Sequence, residues 1–239
     1  MFFPTETALN PPFIDLHTHR RNTALDVVAI SNFSQKDFEN GQNTEGSLFA
    51  SVGLHPWFLR KENFENDFEK ISQLVDNQNI IAIGECGLDK IKGEDLAFQT
   101  HVFEAQIRLA ESVSKPVLIH CVRAFNEVVA VKKRLNPTIP LVIHGFNKNV
   151  NVLNELLRHG FFISVGAAIL AKNTADTEGS SFANILTKIP FDRLFFETDN
   201  AENVKISTIY ETAAKVLDKD INALKSIVYA NFERHFKIP

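Results

Sequence analysis

The sequence predicts an α/β fold, a TIM-like barrel formed by one domain over residues 1–239. Short apolar, β-branched runs alternate with longer amphipathic segments along the chain, a pattern typical of βα units and a parallel sheet. The number of apolar runs is about the eight strands that a closed barrel needs. No linker or low-complexity tract interrupts them, and a chain of 239 residues lies within the size range of one large domain.

The predicted strands are compact apolar runs, several of which end in a histidine or a carboxylate. In chain order they cover residues 13–19, 26–31, 48–55, 80–85, 116–120, 140–144, 161–166 and 194–199. Such continuous apolar runs are typical of strands that are buried on both faces of a parallel sheet.

Most of the segments between these runs are predicted helices. They cover residues 64–77, 94–114, 125–135, 149–158 and 182–189, with two more near the carboxyl terminus. In the longest helix the apolar residues recur at spacings of three, four or six, which places one apolar stripe against the sheet. That stripe consists of Leu96, Val102, Ala105, Leu109 and Val113.

The first crossover breaks the pattern. The segment from His19 to Asp26 is shorter than the dozen or so residues that a parallel crossover usually needs, so the first barrel helix is predicted to be missing. Either the run from Asp26 to Ser31 pairs antiparallel to a neighbour, or the barrel is distorted between its first and third strands, with residues 34–46 forming an irregular loop. Both alternatives leave the barrel open on this flank.

Composition restricts the environment and the partners of the protein. The formal net charge of −4 gives no global attraction for nucleic acid, so local cations or metal ions would have to hold a polyanion. The two cysteines, Cys86 and Cys121, are too few for a disulfide framework and suit a reducing compartment. The first 13 residues have neither the basic region nor the apolar run that is typical of a signal peptide, and no later stretch reaches transmembrane length. We therefore expect a cytoplasmic protein with no membrane contact and no obligate protein partner.

Residue types that bind metals follow five of the predicted strands. In a parallel barrel these strand ends converge on one opening, where the catalytic groups of such folds lie. His17 and His19 share one side of their strand because their spacing is two. The full set is His17, His19, Glu85, His120, His144, Glu197 and Asp199.

Imidazoles combined with carboxylates suit a hydrolytic site with two metal ions, because a carboxylate can bridge the ions and reduce their repulsion. This donor set favours Zn²⁺, Mn²⁺, Fe²⁺ or Ni²⁺, whereas Ca²⁺ prefers an all-oxygen shell and Mg²⁺ is also less suited. The sequence therefore predicts two divalent metal ions as cofactors.

Seven motifs resemble, in order and over nearly the whole chain, the TatD-like DNase family of the amidohydrolase superfamily. They are FIDLHTH, VGLHPW, AIGECGLD, PVLIHC, IHGF, ETD and NFERHF. The resemblance implies a TIM barrel in which one metal ion is held by His17, His19, Glu85 and Asp199. Glu85 would bridge to a second ion held by His120 and His144. The resemblance also implies that His55 lines the substrate pocket, although a structural His-Pro turn is the alternative.

Three features depart from the family pattern, and all of them concern the substrate. The segment after His19 is short, the arginine expected after His120 is displaced to Arg123, and ETD continues as Asn-Ala where the family usually has proline. Members of the family resemble 3′-to-5′ DNA exonucleases, but the superfamily also cleaves lactones, amides and phosphoesters. The metal site is therefore predicted more firmly than the substrate.

The predicted function is hydrolysis of a phosphodiester, in DNA or another substrate, by a metal-activated water. Asp199 and Glu85 are the predicted catalytic residues, with Asp199 taking up and returning the proton of the water. Arg123 is predicted to bind phosphate oxygens. One alternative is a small-molecule hydrolase acting on a lactone, amide or phosphate ester. The other is a catalytically silent metal-binding protein.

Neighbours of the ligands have predicted roles of their own. Cys86 and Cys121 directly follow predicted ligands on strands, so their thiols should point away from the site and be buried. Asp89 is expected to orient a ligand or to hold its loop. Glu197 is expected to be a buried partner of Arg123 or of a ligand's imidazole.

Overall fold

A computed structural model describes residues 10–20, 24–34, 37, 49–171 and 182–238. Its eight strands form one sheet in the order β1 to β8, and each strand pairs parallel with the next, as the sequence predicts for a TIM-like barrel. The strands are β1 Phe13–Thr18, β2 Val27–Phe33, β3 Phe49–Val52, β4 Ile80–Asp89, β5 Val117–Val122, β6 Leu141–Ile143, β7 Phe162–Val165 and β8 Leu194–Phe196.

The described α-helices agree with the predicted ones to within a few residues at each end, except for a short helix at Ala168–Ala171 that was not predicted. They are α1 Phe64–Leu74, α2 Leu96–Val113, α3 Phe125–Leu135, α4 Val150–Arg158, α5 Ala168–Ala171, α6 Phe182–Leu186, α7 Ile206–Val216 and α8 Ile221–His235. Three helices begin at side chains that accept hydrogen bonds from the first turn, namely Asp95, Asn149 and Asp220. None of the helices in the described ranges has both the length and the apolarity needed to cross a membrane.

The barrel closes between β1 and β8 at the level of the predicted metal ligands. A parallel bridge joins Thr18 to Asp199, the Asp199 N–H donates to the His17 carbonyl at 2.8 Å, and the His19 N–H donates to the Asp199 carbonyl at 3.2 Å. The backbone bonds that complete the barrel therefore also fix three predicted ligands relative to one another.

Deeper in the barrel, the Tyr210 hydroxyl of α7 takes the place of a strand. It accepts a hydrogen bond from the Ile14 N–H at 3.2 Å and donates to the Ile14 carbonyl at 3.1 Å. The tyrosine is fully buried, and its ring packs against Phe13 and Phe196 at centroid distances of 5.1 and 4.6 Å. A side chain thus satisfies buried backbone groups of β1.

The first crossover is short and nevertheless parallel. β2 pairs parallel with β1, with Phe13 opposite Val27, so the antiparallel alternative is wrong. The eight residues between the two strands can span about 26 Å in extended form, which exceeds the length of about 20 Å of a six-residue strand. The described residues of this segment contain no helix, and a cavity of about 550 Å³ lies on this flank. Most of the predicted irregular loop at 34–46 falls outside the described residues.

β4 continues four residues beyond its predicted end at Glu85. Its register with β5 shifts between Ile83 and Cys86, after which pairing resumes with Cys86 opposite Ile119 and Gly87 opposite His120. Gly87 has a φ of 141°, and a Cβ at this position would lie 2.1 Å from the His120 carbonyl oxygen. The glycine therefore allows β4 to approach β5 closely beside two predicted ligands.

Replacing Tyr210 with phenylalanine is expected to leave both Ile14 backbone groups without their hydroxyl partner. Unfolding by urea should then show a loss of about 1–3 kcal/mol in free energy, the usual cost of leaving a buried polar group unpaired. Tyr229→Phe is the matched control, because that hydroxyl bonds the Glu233 side chain of the same helix. Equal stability of the two variants would contradict this role of Tyr210.

Candidate metal centre

The structure brings the six predicted ligands together at the carboxyl end of the barrel. Each belongs to at least one group of histidine, aspartate and glutamate whose ligand atoms lie within 4.8 Å of one another. Five lie near or just beyond the ends of β1, β5, β6 and β8, and Glu85 lies inside the longer β4. Because parallel strands present their carboxyl ends on one side, residues distant in sequence meet there.

The Glu85 carboxylate lies at the centre of the group. Its side chain is 4% exposed, and its two oxygens face different sets of imidazoles. The distances to Oε1 are 2.8 Å from His120 Nδ1, 2.8 Å from His144 Nε2 and 3.0 Å from His55 Nε2. The distances to Oε2 are 3.3 Å from His17 Nε2 and 3.4 Å from His19 Nε2.

Asp199 supplies a second carboxylate on the β1 side of Glu85. Its Oδ1 lies 3.4 Å from His19 Nε2 and 3.7 Å from His17 Nε2. The backbone at Asp199 is left-handed, with a φ of 51°, a conformation that aspartate tolerates better than most residues. The turn that begins here also carries the β1–β8 bridge.

Buried carboxylates hold the outer nitrogens of two imidazoles. Asp89 Oδ2 lies 3.1 Å from His120 Nε2 and also accepts a hydrogen bond from the Trp57 indole. Glu197 Oε1 lies 3.2 Å from His144 Nδ1. Asp89 therefore contacts a predicted ligand, and it also holds its own loop by accepting from two following backbone N–H groups. Glu197 is the partner of an imidazole, and not of Arg123. Such contacts fix the tautomer and orientation of a ligand.

The charges of the site shift several pKa values. Burial disfavours ionisation of Glu85, but positive charge on His144 and hydrogen bonds with the histidines hold its pKa well below the usual range. Burial also disfavours protonation of His144, yet Glu85 and Glu197 raise its pKa well above the usual value. Likewise, Asp199 and Glu85 outweigh burial and raise the pKa of His19 to about 9. The negative potential that retains these protons also favours a metal cation.

The residues present fit a metal ion. His17 is fully buried, and neither of its ring nitrogens has a hydrogen-bond partner among the described residues. Buried polar groups normally have partners, so an imidazole without one beside two carboxylates points to a ligand that binds it. The set of imidazole nitrogens and carboxylate oxygens is also the one that Zn²⁺ and its neighbours prefer.

A cleft of about 520 Å³ opens onto this group. His55, the predicted substrate-binding histidine, lines the cleft and contacts Glu85, while its Nδ1 accepts a hydrogen bond from the Trp57 N–H at 3.1 Å. His55 therefore belongs to a His-Pro turn and also lines the cleft, so the two alternatives predicted for it occur together. Trp57, Phe58 and Asn32 form other parts of the wall.

A side pocket of about 160 Å³ adjoins the cleft on the side of β5 and β6. Lys148 lines it together with His120, His144 and Asp199, and makes no ion pair with any residue that the structure describes. Arg123, the predicted phosphate-binding residue, is exposed and left-handed, with a φ of 54°. It is not among the described residues that line the cleft or the side pocket.

Lys148 and Asn32 are among the residues that the sequence did not single out and that line the side pocket or the cleft. Lys148 lies in the loop after β6. Nothing in the sequence distinguishes it from other lysines in loops. Asn32 is 7% exposed near the end of β2, and its Nδ2 is buried without a partner among the described residues. An unpaired buried donor costs about 1–3 kcal/mol. The sequence signal for Asn32 was its position as a polar residue at the end of an apolar run.

Both cysteines, Cys86 and Cys121, are free and buried, as predicted.

Comparisons with known proteins find relatives over most of the chain. The model of the family described as TatD related DNase matches residues 17–237. An uncharacterized metal-dependent hydrolase of Buchnera aphidicola is 29% identical over 92% of this chain and 88% of its own length. A protein of Edwardsiella piscicida named 3′-5′ ssDNA/RNA exonuclease TatD is 28% identical over 80% of this chain and 78% of its own.

Solved structures resemble the fold. A TatD homologue of Escherichia coli K12 superposes with a TM-score of 0.76 at 21% identity, over 95% of this chain and 98% of that one. A TatD family hydrolase of Entamoeba histolytica gives a TM-score of 0.74 at 16% identity, over 97% and 100% of the two chains. Together with the family model that spans most of its length, these similarities show that the chain belongs to the TatD related DNase family of metal-dependent hydrolases.

Proposed function

We propose that the protein hydrolyses phosphodiester bonds at a centre of two divalent metal ions, with nucleic acid as the substrate class. The observation that carries the proposal is the position of Glu85, whose two oxygens face two separate sets of imidazoles. A carboxylate so placed can bridge two cations. Zn²⁺, Mn²⁺, Ni²⁺ and Fe²⁺ suit the donor set better than Mg²⁺.

Each ion has its own residues in this proposal. His17, His19 and Asp199 would hold one ion on the Oε2 side of Glu85, and His120 and His144 would hold the other on the Oε1 side. When bound, the ions supply a water of lowered pKa and polarise the bond that it attacks. Asp199, only 34% exposed in its side chain, would take up the proton of the attacking water and return it to the leaving oxygen.

The proposed substrate class rests on local charge. Lys148 is a cation without an acidic partner among the described residues, and it shares a pocket with three predicted ligands. A phosphate oxygen in that pocket would gain a charge-assisted hydrogen bond. The name of the Edwardsiella relative supports nucleic acid, and the flank left open by the short first crossover would admit a strand.

The test is cleavage of single-stranded DNA and RNA by protein whose metal content has been measured, beside a panel of esters and lactones. Phosphodiester cleavage that disappears with a chelator and returns with Mn²⁺ or Zn²⁺ is the expected result. Turnover of lactones or esters alone would replace the proposal with a small-molecule hydrolase, and bound metal without turnover on any substrate would replace it with a silent metal-binding protein.

His17→Ala and His120→Ala are expected each to remove a ligand of a different ion. Elemental analysis should show about one ion fewer in each variant, and activity should fall by more than the roughly 10- to 100-fold typical of residues outside the coordination shell. The circular dichroism spectrum should be unchanged. His159→Ala is the matched control, because His159 pairs only with a helix residue, Glu155, among the described side chains. Full activity of both ligand variants would refute the site.

Metal affinity should rise as the pH increases toward about 9. In the metal-free fold the pKa of His19 is raised to about 9 and that of His144 is also raised, so an ion must displace their protons. Titration calorimetry in buffers of different ionisation enthalpy should show proton release on Zn²⁺ binding at pH 7. Affinity and proton count that do not change between pH 6 and pH 8 would contradict this competition.

Lys148→Met should lower phosphodiester turnover about tenfold or more, since one charge-assisted hydrogen bond contributes roughly 1.5–3 kcal/mol. Metal content and turnover of neutral esters should be unchanged. Arg123→Met removes a neighbouring exposed cation that does not line either pocket in the described structure, and it serves as the matched control. A larger loss in Arg123→Met would restore the phosphate-binding role to Arg123.

A further inference from the structure

Asn32 has a fixed orientation beside the centre. Its Oδ1 accepts hydrogen bonds from the Glu85 N–H at 2.7 Å and from the Ser51 hydroxyl at 3.2 Å. A backbone N–H can only donate, so the amide oxygen must face Glu85 and the amide nitrogen must face elsewhere. The side chain lines the cleft and carries no charge of its own.

The amide nitrogen Nδ2 is the other polar atom of the Asn32 side chain. Nδ2 is buried and has no hydrogen-bond partner among the residues that the structure describes, although Oδ1 has two. A buried donor without a partner is unusual in a native protein, and one at the wall of an active-site cleft points to a ligand that accepts from it.

We propose that Asn32 Nδ2 donates a hydrogen bond to a nonbridging oxygen of the scissile phosphate, which makes Asn32 a further catalytic residue. The inference rests on the proposed function. Negative charge grows on that oxygen as the phosphorus is attacked, and a donor fixed in advance stabilises it without reorganisation. The donor is neutral, so it would stabilise the negative charge on this oxygen without repelling cations held by Glu85.

The Asn32 side chain is well placed for this role. Glu85, the residue whose N–H it anchors, has a carboxylate at the middle of the predicted ligands, so Asn32 borders the reacting region directly. Lys148 approaches from the β6 side, whereas Asn32 lies on β2. The two residues would therefore contact different oxygens of the same phosphate.

Two substitutions separate the donor from the acceptor. Asn32→Asp keeps an oxygen for the Glu85 N–H and removes the NH₂ group, while Asn32→Leu is uncharged, of similar size and removes both. Loss of one oxyanion donor typically lowers kcat by about 10²- to 10³-fold. Both variants should show such a fall in kcat on a single-stranded oligonucleotide, with metal content retained. Ser51→Ala, which removes one bond to Oδ1 but leaves Nδ2 in place, should keep most of the activity.

A binding readout accompanies the kinetics. Inorganic phosphate should raise the melting temperature of the metal-loaded wild-type protein and of Ser51→Ala more than that of Asn32→Leu. If Asn32→Asp matches the wild type in kcat, or if only Asn32→Leu loses activity and loses metal with it, Asn32 merely supports Glu85 and the inference is wrong. If the wild-type protein cleaves no phosphodiester while it holds metal, the proposed function fails and the inference fails with it.

Discussion

The rest of the site depends on one buried carboxylate. Glu85 is almost inaccessible to solvent and lies within 3.4 Å of nitrogens from five imidazoles. Two of these histidines belong to β1 and β5, and three lie in the segments that follow β1, β3 and β6. A buried carboxylate is costly unless it is paired. The histidines offset that cost, and the same contacts arrange their nitrogens around the carboxylate, where they could bind a cation. The acid thus organises the histidines.

The barrel supports this arrangement through its closure. β1 and β8 join by a backbone bridge at Thr18 and Asp199, in the same layer as the ligands, and the Tyr210 hydroxyl replaces strand pairing deeper down. A fold closed in this way couples the positions of His17 and Asp199 to the integrity of the sheet. Carboxylates behind the ligands, Asp89 and Glu197, then set the orientation of individual rings.

The sequence predicted the parts of this structure that depend on periodicity and on strand ends. Strand order, most helices and the meeting of the six predicted ligand residues follow from apolar runs, several of which end in His, Glu or Asp. It did not predict that β4 continues past Glu85, because the shift in register is a tertiary adjustment to β5. Arg123 lies outside the lining of the cleft and of the side pocket, whereas Lys148 lines the side pocket. These positions show a second limit, because the direction of a long side chain in a loop depends on backbone dihedrals that a one-dimensional pattern does not encode.

The connection between β1 and β2 is close to the minimum length that this crossover requires. Its eight residues must return over the length of a six-residue strand to preserve the pairing of Phe13 with Val27, and an extended chain of that length exceeds the distance by only a few ångströms. The connection therefore has a minimum length but no maximum length. Deleting two residues would pull β2 out of register, whereas an inserted segment, even a whole helix, would extend into the open flank and leave the strands in place.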